Sequence, residues 1–196
     1  MKILIATKNK GKLAEFRRML APLGYEAVSA SEAGFDADIE ETGATFAENA
    51  AIKARAVCSA AGVPAIGDDS GLCVDALGGA PGVYSARYAG EHATDGENIE
   101  KLLSALKDVP EEERGARFEC AMVAAFPDGR GLRAVGQCWG SIGFEKRGSG
   151  GFGYDPVFLL DGRSFAELSE TEKDEVSHRG KALRRLMELL QEEFDR

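Results

Sequence analysis

No stretch of this sequence approaches the ~20 consecutive apolar residues that a membrane-spanning helix requires, so an integral helical membrane protein is excluded. Met1–Asn9 lacks both a long apolar core and a small-residue cleavage site, and no secretory signal is expected. Cysteine is sparse. Cys58, Cys73, Cys120 and Cys138 lie far apart, form no Cys-x-x-Cys pair and each falls in an apolar context. That pattern predicts reduced core cysteines and a cytoplasmic protein. Positive charge is in deficit: the formal net charge is −9. This argues against a nonspecific partner of nucleic-acid polymers, since such binding relies on neutralising phosphates.

What is present fits a single domain spanning residues 1–196, with 44% hydrophobic residues, enough to bury a core. Charge is unevenly distributed. Lys2, Lys8, Lys10, Lys12, Arg17 and Arg18 crowd the first 18 residues, with Glu15 opposing them. Residues 31–52 carry Glu32, Asp36, Asp38, Glu40, Glu41 and Glu48 and no basic residue until Lys53. A basic end and an acidic middle read either as holders of a metal-bound polyphosphate or as two solvated faces.

The stretch of most chemical interest is Gly67-Asp68-Asp69-Ser70-Gly71, placed between the apolar runs Val63–Ile66 and Leu72–Leu77. If the first run is a strand, the acids are expected at or near its end. Adjacent like charges raise one another's pKa unless a cation or solvent relieves them, so the pair is either an exposed turn or half of a metal site.

Lys2–Thr7 reads as a buried strand. Leu13, Phe16, Leu20 and Leu23 then recur at helical spacing, with Gly24 as a stop. Thr7-Lys8-Asn9-Lys10-Gly11-Lys12 joins them, a strand-loop-helix junction able to bind an anion through backbone N–H groups, the helix dipole and lysines. The string is neither G-x-x-x-x-G-K-[ST] nor G-x-G-x-x-G, and a capped helix start with solvated lysines is the alternative.

Tyr25–Ser29 reads as a second strand. A helix from about Thr45 to Ala61 carries Phe46, Ala50, Ala54, Val57 and Ala61 as its stripe, with Asn49 and Lys53 one turn apart at its edge. Those two suit either a cleft wall or a snorkelling lysine.

Val83–Tyr88 is ambiguous between strand and helix, and Thr94–Leu106 reads as a helix. Arg117–Phe126 alternates, placing Phe118, Cys120, Met122, Ala124 and Phe126 on one face. Asp128-Gly129 then signals a hairpin into Leu132–Trp139. In Gly148–Pro156, Phe152 and Tyr154 read as rings for stacking a planar base or as core aromatics, with Asp155 as an acceptor. The last helix is expected from Ser177, its stripe Leu183, Leu186, Met187, Leu190 and Phe194. His178 and Arg179 fall in its first turn and Lys173 just before, three donors suited to carbonyl or phosphate oxygens.

Taken in order, these pieces resemble the XTP/dITP diphosphatases, also called inosine triphosphate pyrophosphatases. The resemblance runs from Ile5 to about Leu183. It rests on ATKNKGK (Ala6–Lys12), EETGATFAENAAIKA (Glu40–Ala54), GDDSGLCVDALGGAPGVYSARYAG (Gly67–Gly90), GGFGYDPVF (Gly150–Phe158) and SHRGKAL (Ser177–Leu183).

It implies an α/β fold, an elongated mixed β-sheet with flanking helices forming two lobes around a central nucleotide-binding cleft, and a homodimer. The implied reaction is Mg²⁺-dependent hydrolysis of ITP, dITP or XTP to the monophosphate and pyrophosphate, clearing these nucleotides from the pool before they enter DNA or RNA.

Carried over by residue, the resemblance has Thr7, Lys8, Asn9, Lys10, Gly11 and Lys12 cradle the triphosphate, with Lys53 reaching the phosphates. Glu41 and Asp69 hold the metal, Asp69 also accepts the proton of the attacking water, and Ser70 contacts substrate. Phe152, Gly153, Tyr154 and Asp155 enclose base and sugar, while Lys173, His178 and Arg179 read the purine edge. The resemblance leaves open whether Asp68 ligates the metal. Two positions depart from the family: Lys8 stands where many relatives carry Gly, and Gly67 where Ala is common, the latter expected to be without consequence.

Overall fold

The computed structural model describes residues 2–35 and 39–194; Asp36 and Asp38 of the acidic stretch and the Phe194 side chain lie outside the described residues. The chain runs β1 (Lys2–Ile5), α1 (Lys10–Leu20), β2 (Glu26–Ser29), α2 (Phe46–Ala61), β3 (Ala65–Val74) and α3 (Asp95–Ala105). It continues with β4 (Gly115–Ala125), β5 (Gly131–Ile142), β6 (Phe158–Leu160), β7 (Arg163–Ser164), α4 (Glu170–Val176) and α5 (His178–Phe194). The strands form one mixed seven-stranded sheet in the order β2-β1-β3-β4-β5-β6-β7. β1 is parallel to both β2 and β3, while β6 is antiparallel to β5 and β7. The fold is α/β, as expected.

The chain divides into two compact units. The first comprises Met1–Asp69, Cys120–Gly136 and Arg179–Arg196; the second comprises Ser70–Glu119 and Gln137–His178. In the first, Phe16 and Leu20 of α1 and Leu183 and Leu186 of α5 pack with Ile5, Ile66, Cys120 and Met122. In the second, Ile99 and Leu102 of α3 pack with Leu72, Val74, Phe118, Phe158 and Phe165. Phe158 meets Phe118 and Phe165 at centroid distances of 4.7 and 4.8 Å, tilted and edge-on, the arrangement aromatic quadrupoles favour. All four cysteines are buried and outside any disulfide, and burial pushes Cys120 up to about 12, where it stays protonated.

Local chemistry sets the helix ends. Asn9 caps α1, its Oδ1 accepting from Lys12 N at 3.0 Å. Thr45 and Glu48 form a reciprocal capping box on α2, which stops at Gly62 in the left-handed conformation (φ 68°).

Several expectations change. The stripe of α1 ends at Leu20; a 3-10 turn follows and leaves Leu23 56% exposed. Val83–Tyr88 resolves as a 3-10 turn, Gly82–Arg87. A short helix, α4, precedes the predicted C-terminal one, and Ser177 is the extended residue joining them. Most important, Asp68 and Asp69 are not at the end of a strand. They lie within the ten-residue β3, which is buried on both faces around them. The turn-forming tendency of Asp, Ser and Gly yields to sheet pairing and burial, since β3 lies between β1 and β4.

Gly67 is part of the reason α2 sits so close to that strand. A Cβ built there would lie 2.3 Å from Ala50 O and 2.7 Å from Ala54 N, both backbone atoms of α2. The expectation that Gly67 is inconsequential is therefore corrected: alanine at this position requires the helix to move. Gly67→Ala should lower the melting temperature by about 3–10 °C, the range for overpacking a core in a chain of this size. Differential scanning calorimetry checks this, and an unchanged transition would contradict so close an approach.

Candidate active site

In a β-strand, successive side chains point to opposite faces, and β3 uses this at Asp68 and Asp69. Gly67 and Asp69 face α2; Ile66 and Asp68 face α1 and α5. The two acids are consecutive in sequence but face different elements: Asp68 pairs with Lys12 and Arg179, Asp69 with Asn49 and Lys53.

On the α2 side, Asn49 and Lys53 stand one helical turn apart and both are buried. Asn49 Nδ2 donates to Asp69 Oδ2 at 3.1 Å, and its Oδ1 accepts from Gly43 N at 2.7 Å, tying the Glu40–Gly43 segment to the helix. Lys53 Nζ lies 3.0 Å from Glu41 Oε2 and 3.5 Å from Asp69 Oδ1, so one ammonium is shared by two carboxylates. Glu41, Lys53 and Asp69, predicted to act together, do converge. Burial pushes the Asp69 carboxyl above its ordinary value; Lys53 and Lys12 oppose this and Glu41 reinforces it. Burial works against the charge on Lys53, but Asp69, Asp68 and Glu41 outweigh it and raise its pKa.

On the other face, Asp68 is almost fully buried, its Oδ2 2.9 Å from Lys12 Nζ and 3.4 Å from Arg179 Nε. Arg179 Nη1 in turn bonds Glu15 Oε2 at 2.5 Å. Burial disfavours the Asp68 charge, but Lys12, Arg179 and Lys53 together hold its carboxyl well below the usual carboxylate range. Neighbouring acids are thus driven in opposite directions, the pattern that separates a proton acceptor from a fixed counter-charge.

Arg179 was grouped with Lys173 and His178 as a reader of the purine edge. All three are buried, and the Arg179 guanidinium, 2% exposed, is also engaged with Glu15 and Asp68. Glu15 is the partner that sequence reading missed. Its signal was slight: a lone acid among six basic residues, one helical turn after Lys12.

In the loop before α1, Thr7 is half-buried and its Oγ1 accepts from Asn9 N at 3.2 Å. Lys8, Asn9 and Lys10 are exposed, while Gly11 and Lys12 lie half-buried in the first turn. Ser70 is half-buried on β3.

The second unit holds a separate cluster. Lys173, on α4, donates to Asp155 Oδ2 at 2.6 Å with both groups buried, and its ammonium lies 4.7 Å from the Phe152 ring centroid. Asp155 Oδ2 also accepts from Phe152 N at 2.9 Å. Asp155 therefore orients Lys173 and the loop rather than standing open as an acceptor. Gly151 is required here, since a Cβ on it would fall 2.0 Å from Asp155 Oδ2.

Of the two readings of Tyr154, the structure shows the core aromatic: it is 4% exposed and donates its hydroxyl to Ser85 O at 2.8 Å, so its ring offers no stacking surface. Phe152 and Gly153 remain half-buried at the loop's tip. His178 is also buried, its ring stacked on Phe118 at 4.7 Å and 13°.

The matching family model, described as the Ham1 family, covers residues 3–189. This chain belongs to the Ham1 family. It is 50% identical over 190 residues to a dITP/XTP pyrophosphatase of Bacillus licheniformis, covering 96% of this chain and 97% of that protein. It is 51% identical over 195 residues to one from Yersinia pseudotuberculosis, covering 97% and 98%. Among solved structures, a HAM1 protein from Coxiella burnetii superposes with a TM-score of 0.87 at 44% identity, covering 98% of this chain and 99% of that one. The Ham1 protein of Staphylococcus aureus gives 0.87 at 42% identity, covering 98% and 100%.

The ion network of this Ham1 chain makes a distinguishing prediction. Arg179→Met removes the buried cation that bridges Glu15 and Asp68, leaving Asp68 with Lys12, and should cost about 3–5 kcal/mol of stability in urea unfolding at neutral pH. An arginine that only read substrate would leave stability unchanged. Because the Asp68 pKa is lower folded than unfolded, its stabilisation is complete above the ordinary carboxylate value and is lost as pH falls toward the folded value. Arg179→Met should therefore also weaken the loss of stability on acidification.

Proposed function

We propose that this Ham1 chain is a nucleoside-triphosphate pyrophosphatase that hydrolyses dITP, XTP and ITP to the monophosphate and pyrophosphate, removing them from the nucleotide pool. The observation that carries the reading is the triad Glu41–Lys53–Asp69, a proton acceptor with a raised pKa beside a second carboxylate and a buried ammonium. The dITP/XTP pyrophosphatase names of relatives about half identical over nearly their whole length support the substrate class and the bond cleaved.

Asp69 accepts the proton from the water that attacks the α-phosphorus, and its raised pKa makes it a better acceptor than an ordinary aspartate. Asn49 holds the Asp69 carboxylate in one orientation. Lys53 stays protonated and offers charge to the polyphosphate, as do Lys8, Lys10 and Lys12 at the start of α1, where helix dipole and backbone N–H groups favour anions. Thr7, Asn9 and Gly11 shape that loop, and Ser70 contacts substrate.

Glu41 and Asp69 would hold Mg²⁺. The fit is chemical: both are hard oxygen donors and already share one cation, Lys53. Among the described residues no cluster of three or more His, Cys, Asp or Glu is placed to hold a metal. An ion here would thus keep waters and substrate phosphate oxygens as its other ligands, as Mg²⁺ usually does. When bound, Mg²⁺ neutralises polyphosphate charge and acidifies a coordinated water.

The Phe152–Asp155 loop encloses base and sugar, with Phe152 packed on the purine, and donors from Lys173, His178 or Arg179 meet the 6-oxo group of hypoxanthine or xanthine. Adenine presents an amino donor there, and facing donor with donor costs about 1–3 kcal/mol, roughly ten- to a hundredfold. The family resemblance supports a homodimer, and the scattered, buried cysteines support a cytoplasmic location; no helix among the described residues is long and apolar enough to cross a membrane.

Incubation with ITP, dITP, XTP, ATP and GTP, with both products identified, tests the reading. Monophosphate and pyrophosphate are expected from the first three, with ATP and GTP much slower, and EDTA should abolish turnover until Mg²⁺ is restored. Asp69→Asn should reduce kcat by at least about a hundredfold with an unchanged circular dichroism spectrum. Near-normal turnover by that variant would remove Asp69 from the chemistry.

A further inference from the structure

Phe152 lies between Gly151 (φ 72°) and Gly153 (φ 60°), both in the left-handed region. A residue flanked by two glycines has no stiff backbone on either side, so hydrogen bonds must fix its ring in one position. Two consecutive amides are fixed here by two carboxylates. Phe152 N donates to Asp155 Oδ2 at 2.9 Å, and Gly153 N donates to Asp95 Oδ2 at 2.7 Å. Asp155 already belongs to the Lys173 cluster. Asp95 does not: it is the first residue of α3, exposed and 58 residues away in sequence.

Capping α3 does not require Asp95. Thr94 is the N-cap, its Oγ1 accepting from Glu97 N at 3.3 Å, and Glu97 Oε2 accepts in return from Thr94 N at 2.7 Å. The Asp95 carboxylate gains from the positive end of the helix and, with the cap complete, bonds outward to the loop. Tyr154 is anchored separately through its hydroxyl on Ser85 O, and Gly150 N donates to Ala166 O at 3.0 Å. Gly153 lies between these anchors.

We propose that Asp95 is a positioning residue for purine recognition. It latches Gly153, keeps the Phe152 ring beneath the Lys173 ammonium, and tightens binding of the purine nucleoside triphosphate without taking part in bond cleavage. This rests on Phe152 and Lys173 contacting the base. Without the latch, the loop must be ordered at the moment of binding, and that cost falls on KM rather than on the chemical step.

The test compares wild type, Asp95→Ala and Asp95→Asn, using steady-state kinetics with dITP and, without substrate, NMR hydrogen exchange at the Gly153 amide. Asp95→Ala should raise KM about tenfold, the worth of one hydrogen bond to a charged group, with kcat within about twofold. Exchange at Gly153 should speed up about tenfold or more. Asp95→Asn retains an acceptor oxygen and should recover most of both. An unchanged KM in Asp95→Ala, unchanged exchange, or no recovery in Asp95→Asn would overturn the proposal. Absence of dITP turnover by the wild type would instead overturn the proposed substrate, and the exchange measurement would still decide the latch.

Discussion

The alternation of side chains along β3 is the constraint on which the first unit depends. Because a strand turns each successive residue to the other face, Asp68 and Asp69 are placed in different chemical environments by one bond of chain. Asp68 faces Lys12 and Arg179 and stays charged; Asp69 faces Asn49, Lys53 and the Glu41 segment and gains basicity. Two adjacent acids on one face would repel and leave neither role well defined. Neighbours on a strand avoid that without a spacer, and the buried Asp68 lets α1 and α5 both bring a cation to the sheet.

The same geometry places Gly67 and Asp69 on one face of β3, against α2. The absence of a side chain at Gly67 brings the α2 backbone against β3, and that approach places Asn49 and Lys53 within reach of Asp69. Pulling α2 back by even a fraction of an ångström would lengthen the Asn49–Asp69 bond and loosen Lys53 from its two carboxylates. Packing and chemistry are here one set of distances.

Much of this was legible in the sequence, because it is local or periodic. The strand-loop-helix at Thr7–Lys12, the helical spacing of Asn49 and Lys53, and the hairpin at Asp128-Gly129 follow from propensity and periodicity. The Asp-Asp-Ser-Gly string misled because its residues favour turns, and only pairing on both sides makes it a strand. The ion pairs of Arg179 were not legible for a related reason. Arg179 follows His178 directly, yet consecutive residues on a helix diverge by about 100°, so the two face different neighbours. Its partners, Asp68 and Glu15, are 111 and 164 residues away in sequence, and no local pattern marks so distant a pairing. Tyr154 and Phe152 alternate in the loop, and nothing in their spacing says which ring packs inward; the hydroxyl found on Ser85 O decides it.

The second unit follows a different physical logic from the first. A lysine whose ammonium is buried loses solvation, and at Lys173 a short bond to Asp155 and the face of Phe152 take the place of water. Those contacts also remove its freedom to follow a ligand. A flexible surface lysine can turn away from a mismatched base and recover water, so it discriminates weakly. An ammonium held by a carboxylate on a loop that is itself pinned at consecutive amides has no such escape, and a base that fails to accept from it leaves the mismatch in place. With Lys173 as the proposed base donor, selectivity depends on how firmly the loop is held as well as on which donors it carries. On that proposal Asp95, which lies on α3 and outside every string that carries the family resemblance, belongs among the residues that determine recognition.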